Sequence, residues 1–328
     1  MRILIDRTYA ERAPHSGTAI YLRRLIEALG PEAVPVWNTR RRDRGGGGVR
    51  SVRNLATDRW WEEVELPRLA REHGAEVIHH PLPAVTHRPR GARVVVTLHD
   101  LAFERLPEMF DPRFRRYAQR SHRAAVRLAD AVICVSETTA RDVRELWGVG
   151  AERIVVAHHG PGQTLPARPR SPAPEHFLYV GDEEPRKDLP TLLAAHERYR
   201  ATVPDPLPLV RVGGAGAPAS AERLADLYAR AAALVHPCLY EGFGLTLLEA
   251  MGAGTPVIAA RVAGAAEVCG ETALWCEPRS VEQFAAAMAR IGRGEAGELS
   301  EAGRRRAAQF SWSASARAHR DAYSLALR

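Results

Sequence analysis

Residues 236–257, HPCLYEGFGLTLLEAMGAGTPV, carry the pattern that decides the fold. An apolar strand pattern ends at His236, a loop with two glycines follows, and a helical pattern starts at about Leu245. A second apolar strand pattern begins at Pro256. A strand, a helix and another strand in this order form a βαβ unit, whose two strands are parallel. The stretch therefore predicts an α/β protein.

The loop and the helix of this stretch carry groups that suit an anionic ligand with many hydroxyls. Gly242 and Gly244 let the backbone approach a ligand closely, and the N–H groups at the helix start near Leu245 favour an anion. Glu241 in the loop and Glu249 in the helix supply carboxylates that accept hydrogen bonds from neighbouring hydroxyls, as in ribose or a hexose. The alternative interpretation is a helix with an acidic first turn and a surface Glu249.

A second motif is YVGDEEPRKDL, residues 179–189. It follows a predicted strand, and the adjacent cations Arg186 and Lys187 stand where a helix is predicted to start. Such cations neutralise a diphosphate leaving group without a metal. Lys187 is the only lysine in a chain with 45 arginines, which indicates that this position requires a compact ammonium group. The alternative is that Lys187 is an ordinary surface residue.

The first half of the chain also alternates strand and helix patterns. Buried-strand patterns lie at 3–5, 77–78, 94–98, 131–135 and 154–156. His99 and Asp100 follow the pattern at 94–98, which places them at the carboxyl edge of the sheet, where α/β proteins bind ligands. Gly17 lies in the turn after the first strand, which favours an anion. Ser136 starts a helix, either as its N-cap or facing a ligand.

The sequence predicts two domains with one linker. Residues 161–174 contain five prolines and little that could pack, so the boundary is placed there. Residues 1–165 and 166–308 are each predicted to form a doubly wound, Rossmann-like domain, followed by a helical segment at 309–328. We expect the carboxyl ends of the two sheets to face each other across a cleft.

The positive charge is confined to the first half. Residues 1–165 have a net charge of +7, whereas residues 166–328 have none. This uneven distribution is not typical of a nucleic-acid-binding protein and favours an anionic membrane or a phosphorylated acceptor beside the first domain. Arg113–Arg127 predicts a basic amphipathic helix that docks on such a partner, or else a solvated helix face. The basic, glycine-rich stretch Arg40–Arg50 predicts a mobile loop.

Several chemistries are disfavoured by what the sequence lacks. Its four cysteines form no CxxC pair and lie among apolar residues, as in a reduced, cytoplasmic protein. No apolar run approaches the roughly 20 residues of a membrane span, and charge interrupts the N-terminal stretch where a secretory signal needs an apolar core. Neither a P-loop nor an Asp-x-Asp pair occurs, so we expect no metal and no cofactor.

Together the motifs resemble a retaining glycosyltransferase of the GT-B fold, family 4, in the mannosyltransferase-like branch. The resemblance covers nearly the whole chain and rests on SGTAIYLRRLIEAL, VVTLHDL, VICVSETTARDV, YVGDEEPRKDL, EGFGLTLLEAMGAGTPV and AAQFSW. It implies transfer of a hexose, with mannose as the first choice, from a GDP- or UDP-linked donor. The implied acceptor is a saccharide, a lipid-linked molecule or another small molecule. The final helix is implied to cross back onto the first domain.

The resemblance also implies a donor-side role for each matching residue. Arg186 and Lys187 hold the donor diphosphate. Glu241, with the backbone of residues 243–244 (Phe-Gly), grips the donor sugar, and Glu249 binds the ribose hydroxyls.

On the acceptor side, the resemblance places His99 beside the reacting face of the sugar. From their positions after strands, Asp100 and Ser136 are predicted as acceptor-side or helper residues. Gly17 gives the acceptor-side loop room near the phosphates. The implied mechanism is displacement on one face, in which the diphosphate leaves, an oxocarbenium-like sugar forms and the acceptor hydroxyl attacks from the departure side. Neutralisation of the leaving group and positioning supply most of the catalysis.

One interval departs from the family pattern. Between Gly213 and Leu234 the family has about one more helix and one more strand, which help to cradle the nucleotide base. This shortening supports an alternative, a weakly active or inactive donor-binding partner subunit of another glycosyltransferase. A sugar-nucleotide epimerase of the same fold, which needs no acceptor, is a second alternative.

Overall fold

A computed structural model of the protein describes residues 1–40, 49–214 and 219–328. Within these residues the chain forms two sheets of parallel strands, with helices between most successive strands. The predicted α/β class with two Rossmann-like sheets is therefore confirmed. Most of the predicted mobile loop Arg40–Arg50 lies outside the described residues, since 41–48 are not among them.

The described strands form one sheet of six and one of five. They are β1 (Ile3–Asp6), β2 (Ala33–Val36), β3 (Val77–His80), β4 (Arg93–Leu98), β5 (Ala131–Cys134), β6 (Ile154–Val156), β7 (His176–Val180), β8 (Leu209–Val212), β9 (Ala231–His236), β10 (Val257–Ala260) and β11 (Ala273–Cys276). The strand order is β2-β1-β3-β4-β5-β6 in the first sheet and β11-β10-β9-β7-β8 in the second.

Helices connect these strands. The described α-helices are α1 (Thr8–Arg12), α2 (Gly17–Leu29), α3 (Val49–Trp60), α4 (Leu66–Glu72), α5 (Ala102–Arg105), α6 (Pro112–Leu128), α7 (Glu137–Trp147), α8 (Leu189–Thr202), α9 (Ala221–Arg230), α10 (Leu245–Ala253), α11 (Ala263–Cys269), α12 (Val281–Gly292), α13 (Gly297–Ala307) and α14 (Trp312–Leu327). A π-helical turn, Trp61–Glu65, joins α3 to α4. None of the helices in the described part of the chain is both long and apolar enough to span a bilayer.

The inner strands of both sheets are buried on both faces, because helices cover each side of a parallel sheet. In the first sheet, β3 and β5 are buried along their whole length. In the second sheet, β9 (AAALVH) and β10 (VIAA) are also fully buried. These continuous apolar runs explain why their positions were visible in the sequence.

The edge strand β2 was not predicted, because its sequence AVPV contains Pro35. Proline lacks the N–H that a central strand needs, and it is tolerated here because β2 pairs only with β1.

The chain divides into two compact units, residues 1–158 with 312–328 and residues 159–311. The first boundary precedes the predicted one after residue 165, because Gln163 already hydrogen-bonds to Glu249 in the second unit. The final helix α14 packs on α2 and on strands β4, β5 and β6 of the first unit. The final helix therefore belongs to the first unit, in agreement with its expected return to the first domain.

The interval from Gly213 to Leu234 contains one helix in its described part. The chain leaves β8, passes through α9 and enters β9, with residues 215–218 outside the description. The five-stranded sheet agrees with the predicted shortening of the second domain.

Candidate functional site

An ion pair between Lys187 and Glu241 lies where two neighbouring strands of the second sheet end. Lys187 closes the 3₁₀ turn Pro185–Lys187 after β7, and Glu241 lies in the loop after β9. Because β7 and β9 are parallel neighbours, their following loops meet at one edge of the sheet. The Lys187 Nζ atom is 2.8 Å from Glu241 Oε2, and the two side chains are only 16% and 12% exposed. The interpretation of Lys187 as an ordinary surface residue is therefore wrong.

The two cations of this motif precede the helix rather than begin it. Asp188 follows Lys187 with a left-handed φ of 49°, and α8 starts only at Leu189. Arg186 and Lys187 both lie in the short 3₁₀ turn, which is not visible as a helical pattern because it spans three residues.

Mutual stabilisation keeps both members of the pair ionised. Burial alone would lower the pKa of the Lys187 ammonium, but the Glu241 carboxylate outweighs burial and raises it. Burial would likewise raise the pKa of Glu241, but Lys187 and His236 hold it well below its usual value. An ammonium has three donors, so Lys187 can keep Glu241 and still donate to an oxygen of a phosphate.

Backbone hydrogen bonds fix the turn of Arg186 against the loop that leads to Glu241. The Leu239 N–H donates to the carbonyl of Arg186 at 2.8 Å, and the Cys238 thiol donates to the carbonyl of Tyr240 at 2.9 Å. In return, Arg186 Nη1 donates to the carbonyl of Tyr240 at 3.4 Å. The two loops therefore form one assembly that sets where both cations lie.

His236 and Cys238 complete the surroundings of the Glu241 carboxylate. His236 ends β9, and its Nε2 atom is 3.2 Å from Glu241 Oε2. Burial would lower the pKa of His236, but Cys238 and Glu241 raise it. The ligand atoms of the three residues lie within 4.8 Å of one another, a spacing that can hold a metal ion. Because the Lys187 ammonium already binds the same carboxylate oxygen and repels a cation, we assign His236 to orienting Glu241.

Glu249 on α10 is held by partners of its own. The backbone N–H of Gln163 donates to Oε1 at 2.8 Å, and the Tyr228 hydroxyl donates to Oε2 at 3.0 Å. A Cβ atom on Gly162 would lie 2.2 Å from Oε1, so only glycine allows this close approach. With 5% of the residue exposed, burial raises the Glu249 pKa to about 7. The alternative of a surface Glu249 is wrong.

The loop between Glu241 and Leu245 presents backbone rather than side chains. Gly244 caps α10 with a left-handed φ of 97°, which disfavours other residues. The Phe243 ring is buried and packs edge-on against His159, with the ring centroids 5.0 Å apart. Because the Phe243 ring is buried, the groups that suit a ligand here are the backbone of Phe243 and Gly244 and the N–H groups at the start of α10.

In the first unit, His99 follows β4 at the carboxyl edge of the six-stranded sheet. Its Nε2 atom is 3.0 Å from the carbonyl of Pro81, so this nitrogen carries the proton and donates it. The Tyr21 ring packs edge-on against the imidazole, with a centroid distance of 5.0 Å. Burial lowers the pKa of His99, although the neighbouring Asp100 opposes the shift. The imidazole is therefore neutral at physiological pH.

Of the other three candidates of the first unit, Asp100 and Ser136 have local structural partners. Asp100 Oδ1 accepts from the Ala102 N–H at 3.0 Å. The Ser136 side chain is fully buried and caps α7 by accepting from the Thr139 N–H at 2.9 Å, as its N-cap interpretation predicts. Gly17 is the first residue of α2.

The structure thus brings Arg186, Lys187 and Glu241 together. Glu249 lies in the same unit and is held by other partners. The sequence did not point to Gly162, Gln163, Tyr228 or His236 as partners. Gly162 and Gln163 lie in the proline-rich linker, and nothing local relates that linker to α10.

Comparison with known proteins extends these observations. Residues 15–161 match the family described as Glycosyltransferase Family 4, and residues 170–293 match that described as Glycosyl transferases group 1. The chain is 28% identical over 278 residues to O-antigen chain mannosyltransferase B of Escherichia coli, covering 74% of the chain and 72% of that protein. It is 29% identical over 266 residues to glycogen synthase of Mycobacterium tuberculosis, covering 72% of the chain and 62% of that protein.

Solved structures show the same fold. Sucrose-phosphate synthase from Thermosynechococcus elongatus superposes with a TM-score of 0.75 at 22% identity, over 99% of the chain and 98% of that structure. Anabaena HepE in complex with UDP-glucose superposes with a TM-score of 0.72 at 15% identity, over 99% of both chains. The architecture and the family matches define a GT-B glycosyltransferase that uses a nucleotide-sugar donor. Family matches cover most of both units, and the chain belongs to glycosyltransferase family 4.

Proposed function

We propose that the protein transfers a hexose, with mannose as the first choice, from a GDP- or UDP-linked donor to an acceptor hydroxyl, with retention of configuration and without a metal. The observation that carries this proposal is the Lys187–Glu241 ion pair at the ends of β7 and β9, with Arg186 fixed beside it. The chain's similarity to an O-antigen chain mannosyltransferase supports the choice of mannose.

On the donor side, Lys187 and Arg186 neutralise the diphosphate as the bond to the sugar breaks, which replaces the role of a divalent metal. Glu241 and the backbone of residues 243–244 bind hydroxyls of the sugar. Glu249 accepts hydrogen bonds from the ribose hydroxyls, and the N–H groups near Leu245 face the anionic part of the donor.

On the acceptor side, His99 lies beside the reacting face of the sugar, with Asp100 next to it and Ser136 as a helper that caps α7. Gly17 lies near the donor phosphates. The glycosidic carbon–oxygen bond breaks towards the diphosphate, and the acceptor oxygen forms the new bond on the same face. The acceptor proton passes to the leaving phosphate, so no protein base is required. The acceptor is a saccharide, a lipid-linked molecule or another small molecule.

A panel of nucleotide sugars tests this proposal. The protein is incubated with each donor and a set of acceptor saccharides, and release of GDP or UDP is measured together with the anomeric configuration of the product. We expect turnover with one donor, and a loss of at least about 100-fold in Lys187→Ala. Arg198→Ala, which removes an exposed cation from α8, is the control and retains full activity. Inversion of configuration, or equal turnover in Lys187→Ala, contradicts the proposal.

A second candidate function is a donor-binding partner subunit with little or no activity. The single described helix between β8 and β9 favours it, because the missing elements help to hold the base in the family. In that case the protein binds nucleotide sugars, seen as a thermal shift, but releases no nucleotide with any donor.

We also propose cytoplasmic localisation with peripheral contact to an anionic membrane through α6. Arg113, Arg116 and Arg120 recur at helical spacing on its exposed side and form no ion pair with an acidic residue of the described chain. Phe114 and Tyr117 lie beside them and are 47% and 62% exposed. Exposed aromatic rings next to unpaired arginines suit the interface between lipid headgroups and acyl chains.

A further inference from the structure

A chain of buried hydrogen bonds connects the final helix α14 to the strands beneath His99. The Tyr323 hydroxyl lies 2.9 Å from His79 Nδ1, and His79 Nε2 lies 2.8 Å from the Thr97 hydroxyl. The Thr97 hydroxyl is 3.0 Å from that of Tyr21, which in turn is 2.8 Å from His319 Nε2. All five side chains are fully buried.

Every proton in this chain has a determined position. His319 Nδ1 lies 2.7 Å from the Ser315 carbonyl, which can only accept, so Nδ1 carries the proton and Nε2 accepts from Tyr21. Tyr21 then accepts from Thr97, and Thr97 accepts from His79 Nε2. His79 Nδ1 remains to accept from Tyr323. Tyr21, Thr97, His79 and His319 each donate one hydrogen bond and accept one, and Tyr323 donates one, so the network runs in a single direction.

This directional order requires neutral imidazoles, and their surroundings keep them neutral. Burial lowers the pKa of His319 to about 4, and it holds the pKa of His79 well below its usual value. His99 adds to the lowering of both pKa values.

Two members of the hydrogen-bond network, Thr97 and Tyr21, lie next to His99. Thr97 lies near the end of β4 and His99 directly follows the strand, and Tyr21 contacts both side chains. Tyr21, held at its hydroxyl by Thr97 and His319, presses the edge of its ring against the His99 imidazole. The Pro81 carbonyl holds the imidazole at Nε2. The orientation of His99 therefore depends on where the hydrogen-bond network holds the Tyr21 ring.

We propose that Tyr21, Thr97 and His319 are positioning residues for His99. Through His319, the helix α14 therefore contributes to catalysis. The inference rests on the proposed function, in which His99 lies beside the reacting face of the donor sugar. It explains why fully buried polar groups occupy the space between α14, α2 and the sheet, where apolar side chains would pack without hydrogen-bond requirements.

A double-mutant cycle tests the proposal. Tyr21→Phe keeps the ring against His99 but removes the hydroxyl, and we expect kcat to fall about tenfold or more with the donor KM unchanged. In the His99→Ala background the same change has no further effect, because its influence passes through His99. Thr97→Val also lowers kcat, whereas Thr97→Ser, which keeps the hydroxyl, restores it. Arg317→Ala, on the exposed side of α14, is the control and leaves kcat unchanged.

A spectroscopic measurement separates this inference from the proposed function. With ¹⁵N-labelled histidine, the ring resonances of His99 shift in Tyr21→Phe and in Thr97→Val but not in Arg317→Ala. Unchanged His99 resonances, an equal fall of kcat in both backgrounds, or an unchanged kcat in His99→Ala overturns the positioning role. If the wild-type protein transfers sugar from no donor, the proposed function fails, and the resonances alone decide whether Tyr21 positions His99.

Discussion

At the residue scale, the buried carboxyl group of Glu249 makes protein stability depend on pH and, under the proposed function, ligand binding as well. Its pKa lies near 7 rather than at 4.5 because it is almost fully removed from water. The folded state therefore holds this proton more tightly than the unfolded chain does. A ribose that binds to the ionised carboxylate gains affinity as the pH rises through 7, whereas the protein loses stability over the same range.

We expect Glu249→Gln to remove this pH dependence. In the wild type, the stabilising contribution of protonated Glu249 is complete below pH 4.5 and is lost as the pH rises to about 7, a loss of up to about 3 kcal/mol. The variant should match the wild type at pH 4.5 and exceed it at pH 8, while binding nucleotide more weakly. Urea unfolding of both proteins at the two pH values measures the difference. An equal difference at both values contradicts the explanation.

The Lys187–Glu241 pair gives a second prediction at this scale. Lys187→Met removes the ammonium that stabilises the buried Glu241 carboxylate, so we expect a loss of about 3 kcal/mol in the free energy of unfolding. Adding Glu241→Gln removes that charge and should restore most of the stability. Neither protein should transfer sugar, because the ammonium is absent in both. Chemical denaturation measures the stability of each variant, and the transfer assay measures its activity. Activity in the double variant would contradict the role of Lys187.

At the scale of elements, the first turn of α11 sets the position of the Glu241 loop. A Cβ atom on Gly264 would lie 1.9 Å from the carbonyl oxygen of Glu241, so Gly264→Ala must displace the loop. We expect weaker donor binding and lower stability, measured by calorimetry and thermal denaturation. Gly252→Ala is the matched control on α10, where a Cβ meets nothing within 4 Å, and it should stabilise the protein by up to about 1 kcal/mol. Equal effects of the two substitutions would show that the loop is not held by this contact.

The elements also show what the sequence could predict. Inner strands such as β5 and β9 were recognisable because both faces are buried, which requires continuous apolar runs. The edge strand β2 and the 3₁₀ turn of Lys187 were not, since short or proline-containing elements have no periodicity. For the site, the residue types of Lys187 and Glu241 pointed to a diphosphate and a sugar. The partners of Glu249 come from the linker and from α9, and no local pattern indicates such long-range contacts.

At the scale of the whole molecule, part of the positive charge of the first half lies on the exposed side of α6. The first half of the chain carries the entire net charge of +7, and α6 presents part of it as unpaired arginines. An anionic membrane that attracts this face would bring the acceptor side of the first unit close to lipid-linked or membrane-bound acceptors.

Vesicle binding tests this surface. We expect the protein to sediment with vesicles containing anionic phosphatidylglycerol but not with pure phosphatidylcholine, and the binding to weaken as salt is raised. Arg116→Glu with Arg120→Glu should abolish sedimentation. The control, Arg198→Glu with Arg200→Glu on α8, makes the same charge change in the second unit and should bind normally. Loss of binding in both proteins would indicate a general charge effect rather than docking through α6.

The most direct test of the central claim is a crystal structure of the protein with a nucleoside diphosphate bound. We predict a diphosphate oxygen within about 3 Å of Lys187 Nζ and the ribose hydroxyls on the Glu249 carboxylate. A diphosphate bound away from Lys187, with its ion pair to Glu241 untouched, would contradict the account.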